Sequence, residues 1–155
     1  GLILEISEDQ IVRDIALAQN IAADLKACGV SLAIDNFGAG YSSFSSLRTV
    51  PFAELKLDGQ FVKGCATDAN NAAICQTAID LAHRFGSVAV AEGVESMADL
   101  QALVAMGCDF GQGVLVAPPM PRERFLELLR QRMNRPKSVA PVTDVAVSTD
   151  GKVVA

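Results

Sequence analysis

The sequence predicts an α/β fold: about five parallel strands alternating with helices, forming part of a (β/α)8 barrel of the TIM type. Three observations lead there. Short apolar runs alternate with longer stretches of helical periodicity. Polar and acidic residues collect where those runs end. Half of the 155 residues are hydrophobic and only 5% are aromatic, so small side chains must pack the helices onto the sheet. A complete barrel of this kind takes about 250 residues and eight strands. The chain is therefore expected to be a piece of a longer domain rather than a natural half-barrel.

The elements follow in order. Leu2 to Ile6 reads as a buried strand. Asp9 to Cys28 reads as one helix, with Ile11, Ile15, Ala18, Ala22 and Leu25 on its inner face and Gly29 as its stop. Ser31 to Ile34 is the second strand, and Tyr41 to Val50 a short helix ended by Pro51. Ala53 to Leu57 is the third strand. Asn70 to Phe85 is a long helix with Ile74, Ala78, Ile79 and Leu81 turned inward and Gly86 as its stop. Val88 to Ala91 is the fourth strand, and Ser96 is placed to cap a helix running to Met106. Phe110 to Val116 contains the fifth strand, and Pro121 to Met133 is a last amphipathic helix. Residues 1–133 thus form the barrel portion. The tail, 134–155, is expected to be a small hairpin around Asp150-Gly151 or an extended segment.

Composition excludes several function classes. A net charge of -5 is wrong for a groove that binds a nucleic-acid polymer, yet it permits a small anionic ligand held at one metal ion or helix start. Cys28, Cys65, Cys75 and Cys108 form no CxxC pair, and a single histidine, His83, gives no zinc spacing. They read as reduced core residues of a cytoplasmic protein. No membrane span and no signal peptide is visible.

In a parallel sheet all C-terminal strand ends share one rim. Glu5 and Glu8, Asp35 and Asn36, Lys56 and Asp58, Glu92 and Glu95, and Gln112 lie at or near such ends. Carboxylate and amide oxygens suit hard divalent cations, and a metal pair can activate water for phosphodiester hydrolysis. The same residue types also serve as ordinary helix caps and solvated loop charges. Gly38 and Gly40 let the backbone after the second strand turn and approach a ligand, and Ser42 and Ser43 offer a helix cap beyond them.

Five ordered segments resemble the motifs of EAL-type cyclic-di-GMP phosphodiesterases. They are Leu4-Glu5-Ile6-Ser7-Glu8, Ile34-Asp35-Asn36-Phe37-Gly38-Ala39-Gly40-Tyr41-Ser42-Ser43, Leu55-Lys56-Leu57-Asp58, Ala91-Glu92-Gly93-Val94-Glu95 and Gly111-Gln112-Gly113. The resemblance implies a modified (β/α)8 barrel of bacterial second-messenger signalling. Such a domain hydrolyses cyclic-di-GMP to pGpG with Mg²⁺ or Mn²⁺ and is inhibited by calcium. It implies Glu5, Asp35 and Asn36 as metal ligands, and Lys56, Glu92 and Gln112 as catalytic. It implies Asp58, Glu95, Gly38 and Gly40 at the substrate, and Glu8 as a brace for the loop after the second strand.

Two departures set the expectations for activity. Asn36 stands where the family usually has a second aspartate, which removes a charge from a dication site. The EAL tripeptide and a further asparagine ligand lie upstream of this sequence in the family pattern. Ala39, Gly59 and Val114 also replace commoner residues near the nucleotide. The chain alone is therefore expected to be inactive. Two alternatives to the enzyme remain: a degenerate sensor that binds cyclic-di-GMP without cleaving it, and a ligand-free interaction module. In each case a homodimer or a partner domain is expected to cover the open barrel.

Overall fold

In a computed structural model of the chain, the described residues are 1–38 and 47–133. They form five strands: β1 (Ile3–Ser7), β2 (Ser31–Phe37), β3 (Glu54–Leu57), β4 (Val88–Ala91) and β5 (Phe110–Gly111). Six helices accompany them: α1 (Glu8–Arg13), α2 (Ile15–Ala27), α3 (Gly59–Val62), α4 (Ala69–Arg84), α5 (Met97–Ala105) and α6 (Arg122–Met133). Gly40, most of the helix expected over Tyr41–Val50 and the whole 134–155 tail lie outside the described residues.

All neighbouring strands are parallel, and their order across the sheet is the order in the chain. A doubly wound sheet reverses direction at a switch point. This one does not, so right-handed crossovers place the helices that connect its strands on one face. That is the winding of a barrel wall. The described residues make an open arc of it.

Register sorts the side chains between the two faces. Glu5 lies beside Ala33, which lies beside Glu54; Ser7 lies beside Asp35, and Lys56 beside Val90. These belong to the concave face. The alternate residues Leu32, Ile34, Leu55, Leu57, Ala89 and Ala91 face the helices and build the core. Ala18 and Ala22 of α2, Cys75, Ala78, Ile79 and Ala82 of α4, and Leu103 of α5 meet them there. Each fully buried Leu or Ile stabilises by about 1.5–3 kcal/mol. Alanines on the facing helices let the backbones come close enough to exclude voids.

The sheet is dense at its centre and open at its edges. Leu32, Ala33 and Ile34 in β2 are at most 5% exposed, whereas Leu2 at the start of β1 is 61% and Phe110 in β5 59% exposed. Phe125 and Leu129 of α6 are likewise exposed.

Several expectations need correction. The helix expected over Asp9–Cys28 is two helices. Asp14 leaves helical geometry (φ -150°, ψ 85°), and its carboxylate accepts from Leu17 N at 2.9 Å. Its short side chain satisfies the second helix's first turn at the cost of continuity. Ile15, beside this break, and Ile74 on α4 are exposed rather than inward, and Cys75 and Ala82 take the core positions on α4. The fifth strand is only Phe110–Gly111, because a turn follows Gln112. The sequence reading missed α3. Cys28 is exposed, not core. The other three thiols are buried or partly buried, and burial pushes Cys75 up to about 12 and Cys108 up to about 11. At neutral pH they stay protonated and unreactive.

Candidate functional site

The concave face carries one concentrated charge cluster, at the C-terminal ends of β1 to β4. Lys56 is its centre and is 4% exposed. Its ammonium donates to Glu5 at 2.6 Å and pairs with Glu92 at 2.6 Å, and it stands 3.7 Å from Asp35 Oδ1. These carboxylates come from three different strand ends, Glu5 51, Glu92 36 and Asp35 21 positions away along the chain. Burial works to lower the Lys56 pKa. The hydrogen bonds to Glu5 and Glu92 and the charges of Glu92 and Asp35 outweigh it, so the ammonium is held well above its ordinary range.

Asp35 is positioned by an irregularity. Between Ile34 and Phe37, β2 gains one residue over β3, a β-bulge that breaks the strict alternation of faces. Asn36 absorbs it in left-handed geometry (φ 56°), which asparagine tolerates better than most residues. The Asn36 amide donates to Asp35 Oδ2 at 2.9 Å. The other oxygen, Oδ1, is buried without a hydrogen-bond partner. A buried carboxylate oxygen with no hydrogen bond, only the Lys56 charge at 3.7 Å, has lost its hydration without full compensation, and it fits a cation ligand. Among the described residues, however, no cluster of three or more His, Cys, Asp or Glu groups is arranged to hold an ion. Asp35 Oδ1 and the half-exposed Glu5 supply part of a coordination shell, with Asn36 beside them.

The remaining candidates divide. Glu8 starts α1, is 4% exposed, and accepts from Gly38 N at 3.0 Å, tying β1 to the turn after β2. Gly38 has φ 96°, and a Cβ there would lie 3.0 Å from the Phe61 ring, so the turn closes only on glycine. Asp58 caps α3 by accepting from Gln60 N at 2.8 Å. Gln112 is exposed, but its backbone links the rim. Its N–H donates to Ala91 O, and its carbonyl accepts from Val94 N. Next to it, a Cβ on Gly113 would strike the Val94 backbone, which explains the glycine. Glu95 does not join the cluster. It pairs on the surface with Lys63 at 3.1 Å.

The sequence reading missed Asp99. This carboxylate is 6% exposed. It accepts from Ser96 Oγ at 2.7 Å and Ala66 N at 3.1 Å, clamping the segment after α3 to α5. The Ser-x-x-Asp spacing was the available signal. A separate cavity of about 170 Å³ at the other end of the strands, lined by Lys26 and Phe52 among others, holds no acidic cluster.

Fold and rim together define a class: a barrel-type α/β domain with an acidic site, organised by one lysine, at the C-terminal strand ends. Comparison narrows it. The EAL domain family matches residues 1–119. The chain belongs to the EAL domain family.

Its similarity to characterised relatives is substantial but partial. It is 41% identical, over 81% of its length, to the bifunctional diguanylate cyclase/cyclic di-GMP phosphodiesterase MucR of Pseudomonas aeruginosa, and covers 18% of that protein. The solved PaMucR phosphodiesterase in complex with c-di-GMP aligns at 40% identity with a TM-score of 0.76, over 80% of this chain and 50% of that one. The EAL domain of Mycobacterium smegmatis DcpA aligns at 36% identity with a TM-score of 0.78, over 83% and 58%. The chain thus spans about half of these solved chains and less than a fifth of the curated relative. Metal dependence is general to EAL domains. Among the described residues, no helix is long and apolar enough to cross a membrane.

Proposed function

We propose that this chain supplies the C-terminal part of the active rim of a cyclic-di-GMP phosphodiesterase, which in the complete protein opens the cyclic dinucleotide to linear pGpG. The observation that carries this reading is the Lys56 hub, which holds Glu5 and Glu92 at 2.6 Å while Asp35 presents an unpartnered oxygen. Acidic groups gathered this closely repel one another, and a fold keeps such a site where function requires it.

Each residue has a role in this reading. Asp35 Oδ1 and Glu5 would hold a divalent ion, Mg²⁺ or Mn²⁺, with Asn36 beside them. Bound there, the ion would acidify a water and neutralise phosphate charge. Lys56 fixes Glu92 in place. Glu92 would orient the attacking water and take its proton as the P–O3′ bond breaks; the leaving 3′-oxygen would take a proton from solvent, to which Glu92 would return its own. Gln112 would support Glu92 from just beyond the end of the neighbouring strand. Glu8 braces the Gly38 turn so that the nucleotide, with Gly40, can approach the backbone there, and Asp58 and Glu95 border it. The same reading places the protein in the cytoplasm, where four free thiols stay reduced.

The test is a calorimetric titration of the complete protein with cyclic-di-GMP in Ca²⁺, followed by its turnover in Mn²⁺. Saturable binding and release of pGpG support the reading. No binding by the complete protein sinks it. A second reading, a sensor that binds without cleaving, is favoured by Asn36. Binding without turnover, with turnover appearing in Asn36→Asp, would select it.

A further inference from the structure

We infer that Phe61 is a positioning residue for the turn at Gly38, and that the size of its side chain sets how tightly the cyclic dinucleotide is held there. The inference rests on the proposed approach of the nucleotide to that turn and deepens it.

The ring and the turn are in contact. A Cβ built on Gly38 would lie 3.0 Å from Phe61 Cε2 and 3.5 Å from Cδ2, so the ring edge fills the space a side chain would take. Gly38 is nonetheless exposed, which leaves the turn open to a ligand away from the ring. Two independent contacts therefore hold it. Glu8 accepts from Gly38 N at 3.0 Å, which fixes where one N–H points. The Phe61 ring stops the backbone from settling toward α3.

Phe61 can support the turn because α3 is itself anchored. Asp58 caps it by accepting from Gln60 N at 2.8 Å. The Asn71 side chain of α4 donates to Lys63 O at 3.1 Å and to Gln60 O at 3.5 Å. Cys75 Sγ, also on α4, lies 3.4 Å from Phe61 O, and the Phe61 side chain packs against the core.

The same short helix touches the opposite side of the rim. A Cβ on Gly59 would lie 3.5 Å from Glu92 O and 3.6 Å from Gly93 Cα. Helix α3 thus fills the space between the turn after β2 and the backbone that carries Glu92. A close-packed spacer transmits its width. Shortening the side chain at 61 lets the Gly38 turn sink away from a ligand aligned with Glu92.

The test compares the natural complete protein with Phe61→Leu, Gly38→Ala and the double variant. Calorimetry with cyclic-di-GMP in Ca²⁺ reads affinity, and hydrogen exchange without nucleotide reads the Gly38 N–H. Leucine keeps an apolar side chain against the core but removes the ring edge. Phe61→Leu should bind about tenfold more weakly, within the range for side chains in contact. Its Gly38 N–H should exchange about tenfold faster. Gly38→Ala should bind about 100-fold more weakly, because the new methyl meets the ring. The double variant should bind no more weakly than Gly38→Ala, because the smaller side chain makes room for that methyl. The strain of alanine at φ 96° is present in both backgrounds and cancels from the comparison. An unchanged affinity in Phe61→Leu, an unchanged Gly38 exchange rate, or additive losses in the double variant would overturn the inference. Phe61→Leu decides alone if Gly38→Ala does not fold. Absence of binding by the natural protein counts against the nucleotide reading, whereas Gly38 exchange tests the ring's support without nucleotide, so the two failures are distinct.

Discussion

Lys56 on the concave face and Asp99 on the helical side are both almost fully buried, at 4% and 6% exposure, and their surroundings are opposite. Asp99 is matched by donors: the Ser96 hydroxyl and the Ala66 N–H. Burial alone would raise its pKa, and those donors hold the carboxyl below its usual range instead. Lys56 is surrounded by more negative charge than it can neutralise, and one neighbouring oxygen is left unpartnered. A charge that is fully satisfied secures structure. A cluster left with surplus negative charge is what the proposed ligand site would need. The difference separates a clamp from a site even though both are buried, charged and hydrogen-bonded.

The largest effect that can break this comparison comes from Lys56→Ala. It leaves Glu5, Asp35 and Glu92 facing one another. Losing one partner of a fully buried pair costs about 3–5 kcal/mol, and solvent access to Glu5 reduces this to about 2–3 kcal/mol. Turnover of the complete protein should fall at least about 100-fold. Adding Mn²⁺ should restore part of the lost melting temperature, because a dication replaces the missing charge. If the ion leaves the melting temperature unchanged, the rim does not take the proposed cation.

Asp99→Ala should be nearly as costly to stability, about 2 kcal/mol, because it strands the Ser96 and Ala66 donors. It should leave cyclic-di-GMP affinity unchanged, since Asp99 lies on the helical side. Urea unfolding alongside calorimetry separates the two. A loss of affinity at unchanged stability would place Asp99 in the site.

The two groups should also respond at opposite ends of the pH scale. Asp99 has a depressed folded pKa, so its contribution is present above the ordinary carboxyl value and is lost as acid protonates the folded form. Asp109, held low by Ala89 N–H and His83 against the effect of burial, adds to that acid limb. Lys56 has a raised folded pKa. Its contribution is complete below 10.5 and is lost as the pH rises above that value. Melting temperatures across pH should therefore lose the acid limb in Asp99→Asn and the alkaline limb in Lys56→Ala. Unchanged limbs in both variants would contradict this assignment of the two charges.

The smallest effect belongs to the exposed pair Lys63–Glu95, at 69% and 52% side-chain exposure. Lys63→Ala should change stability by less than about 0.5 kcal/mol. A larger change, or a marked change in nucleotide affinity, would show that Glu95 works in the rim rather than on the surface.

Much of the architecture was legible in advance because it is local. Short apolar runs gave five strands, and period-3.6 patterns gave most helices. Gly29 and Gly86 marked helix ends, both with φ 72°, and Ser96 marked a helix start by accepting from Asp99 N at 3.1 Å. Asp14 was misread because apolar periodicity continues through it, while its side chain prefers to cap the next helix. Helix α3 was missed because four residues carry no periodicity, although Asp58 was its signal. The motif residues marked where polar groups gather, but not which would meet. Glu95 shares a motif with Glu92 and still turns to Lys63.

The sequence by itself determined the family, the parallel α/β class and the strand-end positions of Glu5, Asp35, Lys56 and Glu92. Those follow from short-range order along the chain. Only the tertiary structure decided that Lys56 gathers the carboxylates of three strands. It also decided that the bulge at Asn36 occupies one oxygen of Asp35 and leaves the other free. These contacts depend on strand register and on a single inserted residue, and a shift of one position would send each side chain to the opposite face of the sheet.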